Sequence, residues 1–436
     1  MHAPMLTPQI VSLLENAVVV DDQLVNIPLY RAILMDVSLW IRAPLDVQLA
    51  YMHHFARVLP LGSRRLRDVH LIRRLVHGAR AAPFVPVDVI NHIASLALHH
   101  YFRPRNIQAT VHFITLVLGH TAPSAHTLGA TGPRTDADTA YPPTACSMAL
   151  VPRCAMPDAR ALSMARTWLD VLVRIMADDA RRAAMVADLV HPKWLLMLVR
   201  PGLARDDMPL VLEFVGMLLS TSPSLAQNWT RLGGFRVLER TLPPHWDVPC
   251  VLPWMWTLLL GPHAPKSSLY HTFAHATAVA HPQALRVIVQ CMAHGMMACR
   301  TAPAKRRASL PHIPAPPPGL TALEDSVRLL VVHSHNEDVR ALLMLAPTLV
   351  AVLRATAPCF VDEPCGPRVC ALCDALVDML AACIAELVLS SHTLTLLHNL
   401  HAVAMPTSDP LIQSRLCVAV YIPLLARIDS LIRTRP

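Results

Sequence analysis

The sequence predicts an all-α protein, built as an armadillo- or HEAT-like α-solenoid, and three observations support this fold class. The 436 residues include 39 prolines but only 13 glycines, and 5% are aromatic, which suits β-sheet proteins poorly because their tight turns need glycine. Apolar residues recur at helical spacing over most of the chain. Helix follows helix through short links, as in solenoids, where each helix pair buries its apolar face by stacking on the next pair.

Residues 1–119 form the first predicted set of helical repeats. Proline precedes several stretches with one apolar face, at the position where a missing N–H costs a helix nothing. These prolines are Pro28, Pro44, Pro86 and Pro104. Gly119 is predicted to end the last of these helices. Residues 120–156 have no sustained apolar stripe, which predicts a flexible insertion or linker.

Residues 157–300 are predicted to be central armadillo-like helices. Asp206 and Asp207 are expected to cap one of them, because carboxylates accept hydrogen bonds from the free N–H groups at a helix start. Val251–Leu260 is apolar on every side. We therefore expect this helix to lie in the centre of the core.

The C-terminal part of the chain begins after a second segment without helical pattern. Residues 301–319 are proline-rich, which predicts a flexible linker. Thr321 and Glu324 have the spacing of a capping box. They are expected to start the C-terminal helical repeats, residues 320–436.

One segment, Asp206–Gly261, resembles a known family. An apolar helix ends in a Leu-Leu-Ser-Thr-x-Pro-Ser turn, and a glycine pair, a short helix, a proline and tryptophan segment and a second apolar helix follow. The residues after the turn that carry the resemblance are Gly233, Gly234, Phe235, Leu238, Pro243, Trp246, Pro249 and Gly261. This order is similar to the armadillo-like helical region upstream of the BEACH domain in BEACH-family scaffold proteins, above all in their autophagy-linked, FYVE-containing branch and its fungal relatives.

The resemblance implies a non-enzymatic cytoplasmic scaffold, peripheral to endomembranes, that acts in vesicle trafficking or selective autophagy. Its expected partners are other proteins, namely trafficking or autophagy components, through which it associates with membranes. The resemblance brings no catalytic residues with it. Because the sequence contains no BEACH domain, WD40 blades or FYVE zinc motif, we expect the chain to be a fragment, or a truncated gene model, of such a scaffold.

The sequence contains none of the common signatures of enzymes, such as G-x-x-x-x-G-K-[ST], G-x-G-x-x-G, G-x-S-x-G or H-E-x-x-H. No cofactor is therefore predicted. Four cysteines leave two interpretations open, a tetrahedral zinc site or, as the favoured one, thiols packed in a core. They are Cys359, Cys365, Cys370 and Cys373. Two histidine pairs have helical spacing, but no third ligand lies near either pair in sequence. They are His271 with His275 and His398 with His401.

The net charge of +8 and the pI of about 9.1 raise an alternative function, a basic helical-repeat protein that binds nucleic acid. Two features disfavour it. The positive charge is nearly all arginine, as in the products of GC-rich genes, and no dense basic stripe is interleaved with stacking aromatics. An unrecognised hydrolase or transferase is a third class, for which the sequence offers no nucleophile and base.

Two basic stretches complete the candidates. Arginines between Arg64 and Arg80 lie on an amphipathic pattern, which is typical of an outer solenoid face and also of a helix on anionic lipid. Ser309 follows Arg306 and Arg307. This spacing predicts a phosphorylation site for a basophilic kinase.

Overall fold

The computed structural model is mostly helical, which confirms the all-α class. It describes residues 7–21, 23–30, 43–61, 85–119, 159–262, 268–306, 319–343 and 367–388, with isolated positions elsewhere. Within the described residues, strands are limited to β1 (Val19–Val20) and β2 (Gln23–Leu24), which pair antiparallel as a small hairpin.

The helices of the described residues fall into two sets along the chain. The first set is α1 (Pro8–Val18), α2 (Ile27–Leu29), α3 (Leu45–Val58), α4 (Val87–His100), α5 (Pro104–Leu118), α6 (Ala159–Asp178), α7 (Ala180–Leu189), α8 (Pro192–Leu198), α9 (Met208–Thr221) and α10 (Pro223–Arg231). The second set is α11 (Gly234–Thr241), α12 (Val251–Leu260), α13 (Leu269–Phe273), α14 (Ala284–Arg306), α15 (Leu320–His333), α16 (Glu337–Leu343) and α17 (Pro367–Val388), with a 3-10 turn at Pro243–His245.

The chain divides into two compact units, Met1–Leu232 and Gly233–Pro436. In the first unit α3 packs on α1 and α4, and α6 packs on α4, α5, α7 and α9. In the second unit α14 packs on α11, α12 and α15, while α15 also packs on α12, α13 and α17. Within each unit, helices therefore pack mainly on helices that are near them in sequence. The division between the units falls inside the predicted central region 157–300.

Prolines lie where the sequence placed the helix starts of the N-terminal region. Pro28 lies in α2, Pro44 and Pro86 immediately precede α3 and α4, and Pro104 is the first residue of α5. Gly119 ends α5, as expected. The predicted insertion 120–156 lies outside the described residues.

The longest of the described helices of the first unit, α6, is anchored by a buried tryptophan. Trp168 is fully buried, and its ring centroid lies 4.9 Å from that of Phe113. The indole Nε1–H donates to Asn91 Oδ1 at 3.1 Å, and Asn91 Nδ2 donates to Thr167 Oγ1 at 3.3 Å. The amide of Asn91 thus joins α4 to α6 while satisfying the one polar atom of the tryptophan.

Asp207 precedes α9, as predicted, but its side chain does not cap the helix. The carboxylate is buried and forms a two-point interaction with the guanidinium of Arg166, in which Nε donates to Oδ1 and Nη2 donates to Oδ2 at 3.1 Å. The expected capping role is therefore wrong. The reason is tertiary, because α6 brings a fork-shaped cation that binds both oxygens.

The exchange Arg166→Ala tests this interaction. It leaves the buried Asp207 carboxylate without its partner, so we expect the free energy of unfolding to fall by about 1–3 kcal/mol. Arg174 on the same helix is the matched control. Its Nη2 lies 2.7 Å from Asp170 Oδ2, and this ion pair is exposed to solvent. Arg174→Ala should cost about 0.5 kcal/mol or less. Urea unfolding followed by circular dichroism measures both, and equal losses would refute the special role of Asp207.

The second unit is organised around α12, which is buried on nearly every side. All of its residues except Pro253 and Thr257 are buried, which confirms the central position expected for this apolar helix. Helices α13, α14 and α15 pack against it. Its C-terminal end is closed by Gly261, whose φ of 85° and ψ of 173° are open essentially to glycine alone.

Trp246 lies in a slot that two glycines make possible. A Cβ at Gly295, in α14, would lie 2.9 Å from the Trp246 ring, and a Cβ at Gly319 would lie 3.2 Å from it and 2.7 Å from Asp247 Cα. Real Cβ atoms essentially never lie within 3.0 Å of another heavy atom, so a larger residue at either glycine displaces the indole or the backbone. The slot therefore joins the turn after α11 to α14 and to the start of α15.

The start of α15 differs from the prediction. Gly319 is the N-cap, with φ of 89°, and α15 begins at Leu320. Thr321 is thus already inside the helix, and the predicted capping box with Glu324 is wrong. Gly319 takes the cap because a side chain does not fit beside Trp246. The helix α14 also continues to Arg306, so it covers the first residues of the predicted linker 301–319.

Gly233 and Gly319 have the same backbone conformation, so replacing each of them with alanine distinguishes the cost of backbone strain from the cost of a steric clash. Gly233 and Gly319 are both N-caps with φ near +85°, but a Cβ at Gly233 would have nothing within 4 Å. We expect Gly233→Ala to cost about 1–2 kcal/mol from backbone strain alone. Gly319→Ala should cost about 1–3 kcal/mol more, because its Cβ meets the Asp247 backbone. Thermal and urea unfolding compare the two variants, and similar losses would contradict the Trp246 slot.

The first helix, α1, packs on α3 around a buried histidine. His54 Nδ1 lies 3.0 Å from Glu15 Oε2, but neither ring nitrogen has a partner with hydrogen-bond geometry. Arg57 pairs with the same carboxylate from the solvent side. Burial lowers the pKa of His54 to about 4. At neutral pH the imidazole is therefore uncharged, and its contact with Glu15 is not an ion pair.

This histidine predicts an acid-sensitive fold. The unfolded chain takes up a proton at His54 near pH 6.5 and the folded chain only near pH 4, so stability is lost as the pH falls through this interval. We expect a loss of about 2 kcal/mol between about pH 7.5 and pH 5 from this residue. His54→Leu should flatten the profile of unfolding free energy against pH. His53 is exposed, so His53→Leu is the control. A profile unchanged by His54→Leu would refute the prediction.

Among the described residues, no helix alone has the length and apolar character needed to cross a membrane. The pair α9 and α10 passes that test only jointly, with a bend of 114° between the two helices.

Candidate functional site

A chain segment of the second unit, residues 268–281, lies across α12 and α15, and we call it the strap. Its first part is the short helix α13, which Ser268 caps by accepting a hydrogen bond from the His271 N–H at 3.2 Å. After α13 the strap is irregular up to the start of α14. Among residues 268–281, Phe273 is the only buried residue. The strap therefore contributes little apolar surface to the core.

Side chains at α15 bind the main chain of the strap at three points. Asp325 Oδ2 accepts from the Tyr270 N–H at 3.2 Å. His333 Nε2 donates to the Phe273 carbonyl at 3.0 Å, which requires the tautomer with hydrogen on Nε2. Following the helix, the side chain of Asn336 donates from Nδ2 to the Thr277 carbonyl at 3.0 Å. All three strap atoms belong to peptide groups.

The end of α12 supplies a fourth attachment. The Leu259 carbonyl accepts from the Ala280 N–H at 2.7 Å and from the His281 N–H at 3.4 Å. Carbonyls in the last turn of a helix have no partner within the helix, so the strap satisfies one that would otherwise remain unpaired. The strap is thus held at both ends by its main chain.

The surface beneath the strap is polar but shielded from solvent. Asp325, Ser326 and His333 are each at most 6% exposed. Trp256 Nε1–H donates to Ser326 Oγ at 3.0 Å, and its ring centroid lies 5.9 Å from that of His333. Buried polar groups need such partners. We call the surface formed by Trp256, Leu259, Asp325, His333 and Asn336 the strap groove.

A surface depression of about 310 Å³, open to solvent, continues the strap groove beyond Phe273. Strap residues and the end of α15 line it. The lining residues are Ala274, His275, Ala276, Thr277, Val332, His333 and Asn336. The strap carries small side chains here, so it does not fill the space available to it.

Burial shifts the pKa of ionisable groups at the end of the strap and in α14. Burial lowers the pKa of His281, at the end of the strap, whose ring centroid lies 6.1 Å from that of Phe235. On α14, burial raises the pKa of the Cys291 thiol and raises that of Cys299 to about 11. Thiols of this kind are poor nucleophiles. The arrangement is suited to holding a polypeptide by hydrogen bonds.

The residues that carry the family resemblance lie in or next to α11, in the turn that follows it and at the two ends of α12. Gly233 is the N-cap of α11, with φ of 83°, and Gly234, Phe235 and Leu238 are buried in that helix. The 3-10 turn that follows α11 starts at Pro243, and Trp246 fills the slot described above. Pro249 is exposed before α12. Asp206–Gly261 as a whole spans both compact units, since the division lies between Leu232 and Gly233.

The cysteine and phosphorylation predictions remain predictions. Cys373 is buried and Cys370 is partly exposed on α17, whereas Cys359, Cys365 and Ser309 lie outside the described residues. Burial of Cys373 is compatible with both core packing and a zinc site. Across the described parts of the chain, no three metal-ligating side chains come together.

His271 and His275 do not lie one turn apart on the same helix, as their spacing in the sequence suggested. His271 is in α13, but that helix ends at Phe273, so His275 is not one turn further on the same face. The pair His398 and His401 lies outside the described residues, as does most of the basic stretch between Arg64 and Arg80.

Sequence reasoning missed the strap groove. Two of its polar residues, Asp325 and His333, lie in α15, and the third, Asn336, follows the end of that helix. Such residues interrupt the apolar stripe of α15, which is a signal of a buried polar contact. Their partners are main-chain atoms about 55 to 60 positions away in sequence, and no side-chain pattern reveals those.

The chain was compared with protein-family models, with curated proteins and with solved structures, and none of the three comparisons gives a match.

Proposed function

We propose that this chain is a non-enzymatic helical scaffold, with helices stacked as in an armadillo-like solenoid, that binds other proteins. The observation that carries the proposal is that helices within each unit pack mainly on sequence neighbours. Stacking of this kind leaves long helical surfaces for partners. The strap groove adds support, because it already holds a polypeptide by its main chain.

The particular pathway follows from the resemblance of Asp206–Gly261. On that basis the scaffold acts in vesicle trafficking or selective autophagy, as a portion of a BEACH-family protein. It is cytoplasmic and reaches endomembranes through its partners. The buried positions of Phe235, Leu238 and Trp246 are compatible with a shared helical framework.

Proximity labelling in cells tests this function. The full chain fused to a labelling enzyme should enrich trafficking or autophagy components at least about tenfold over the same enzyme fused to an unrelated helical protein of equal charge. Arg166→Ala, which weakens the first unit, should reduce this enrichment, while Arg174→Ala should not. Labelling that matches the control fusion would refute the proposal.

Nucleic-acid binding is the second candidate, and one local arrangement favours it. The Arg182 guanidinium lies 5.2 Å from the centroid of the Phe102 ring, next to the exposed Arg103. Basic and aromatic side chains together are typical of single-strand binding. However, Arg182 also pairs with Asp179, which reduces the local positive charge. Salt-dependent binding of a labelled RNA oligonucleotide at physiological ionic strength, lost in Arg103→Ala, would support this candidate over a protein scaffold.

A further inference from the structure

The hydrogen bonds that join the strap to α12 and to the α15 region use the main chain of the strap. Its hydrogen bonds to Asp325, His333, Asn336 and Leu259 all use peptide N–H and C=O groups. Of its side chains, only Phe273 is buried. Any polypeptide that offers the same peptide groups and an aromatic anchor therefore meets the requirements of the groove.

Removing the strap from the groove would lower the stability of the second unit. Asp325 and His333 are buried, and removal of the strap would take away their main-chain partners. Buried polar groups without partners are costly, so the groove needs an occupant. The strap does not cover all of this surface, because a depression of about 310 Å³, open to solvent, lies beside Ala276.

We propose that the strap is an exchangeable internal occupant of a peptide-binding groove, and that a partner peptide with an aromatic anchor replaces it. The proposal deepens the proposed scaffold function by naming the surface that binds a partner. The positions of the hydrogen bonds define the peptide. Its aromatic residue lies three residues after the N–H bound by Asp325 and four residues before the carbonyl bound by Asn336, as Phe273 does between Tyr270 and Thr277.

The depression beside Ala276 adds a preference for one side chain of the peptide. The third residue after the aromatic residue of the peptide corresponds to Ala276, which lines this depression. A larger apolar side chain at this position covers part of this depression, and each methylene that it buries fully contributes about 0.8 kcal/mol. A partner with leucine there is therefore expected to bind better than the strap itself.

The first experiment measures binding of a fluorescent peptide of residues 268–281 to the full chain by anisotropy. Phe273→Ala in the protein weakens the internal strap, so we expect this variant to bind the peptide at least about tenfold more tightly than the wild type. Adding Asn336→Leu to the variant should abolish the gain. His335→Leu, at the exposed neighbouring position, is the control and should preserve it.

Peptide variants test the register. Phe273→Ala in the peptide should abolish binding, and Ala276→Leu should strengthen it by a few-fold or more. Equal binding of the peptide to the wild type and to Phe273→Ala, or binding that ignores Asn336→Leu, would overturn the proposal.

Native-state hydrogen exchange of the wild type gives a second test that does not depend on a variant folding. The amides of Tyr270 and Ala280 should exchange through a local opening, faster than the amides in the middle of α15. Exchange of these strap amides only with global unfolding would overturn the proposal. Either failure would leave the proximity-labelling result for the scaffold function unaffected, so the two proposals can fail separately.

Discussion

Polar side chains in an apolar core need hydrogen-bond partners, and this requirement organises the second unit. Leaving one such group unpaired costs about 1–3 kcal/mol. Asp325, Ser326 and His333 of α15 are all buried. Their partners are Trp256 and the main chain of the strap. The orientation of the central helix and the path of the strap therefore both depend on meeting this requirement.

The same requirement is met in the first unit by other means. Asn91 joins α4 to Trp168 on α6 through its side-chain amide. Asn106, which is fully buried, accepts from the Ile72 N–H at 3.3 Å and donates to the Tyr101 carbonyl at 3.1 Å. Apolar packing alone tolerates small shifts of one helix along another, whereas such directional contacts specify a single register.

The buried polar contacts have different roles in the two units. In the first unit these contacts join helices to one another or to adjoining chain, which makes them structural. In the second unit they hold a segment that is otherwise weakly packed. Phe235 of α11 packs near His281 at the end of that segment, while Trp256 and Leu259 of α12 belong to the groove itself.

The sequence by itself determined the helical class, the proline starts of α3, α4 and α5, and the central position of α12. These follow from local geometry and apolar periodicity, which are properties of neighbouring residues. Only the tertiary structure decided that Asp207 binds Arg166 instead of capping α9, and that Gly319 instead of Thr321 caps α15. It also decided that α15 holds the strap, because each of these outcomes depends on a group far away in sequence that competes with, or excludes, the local partner.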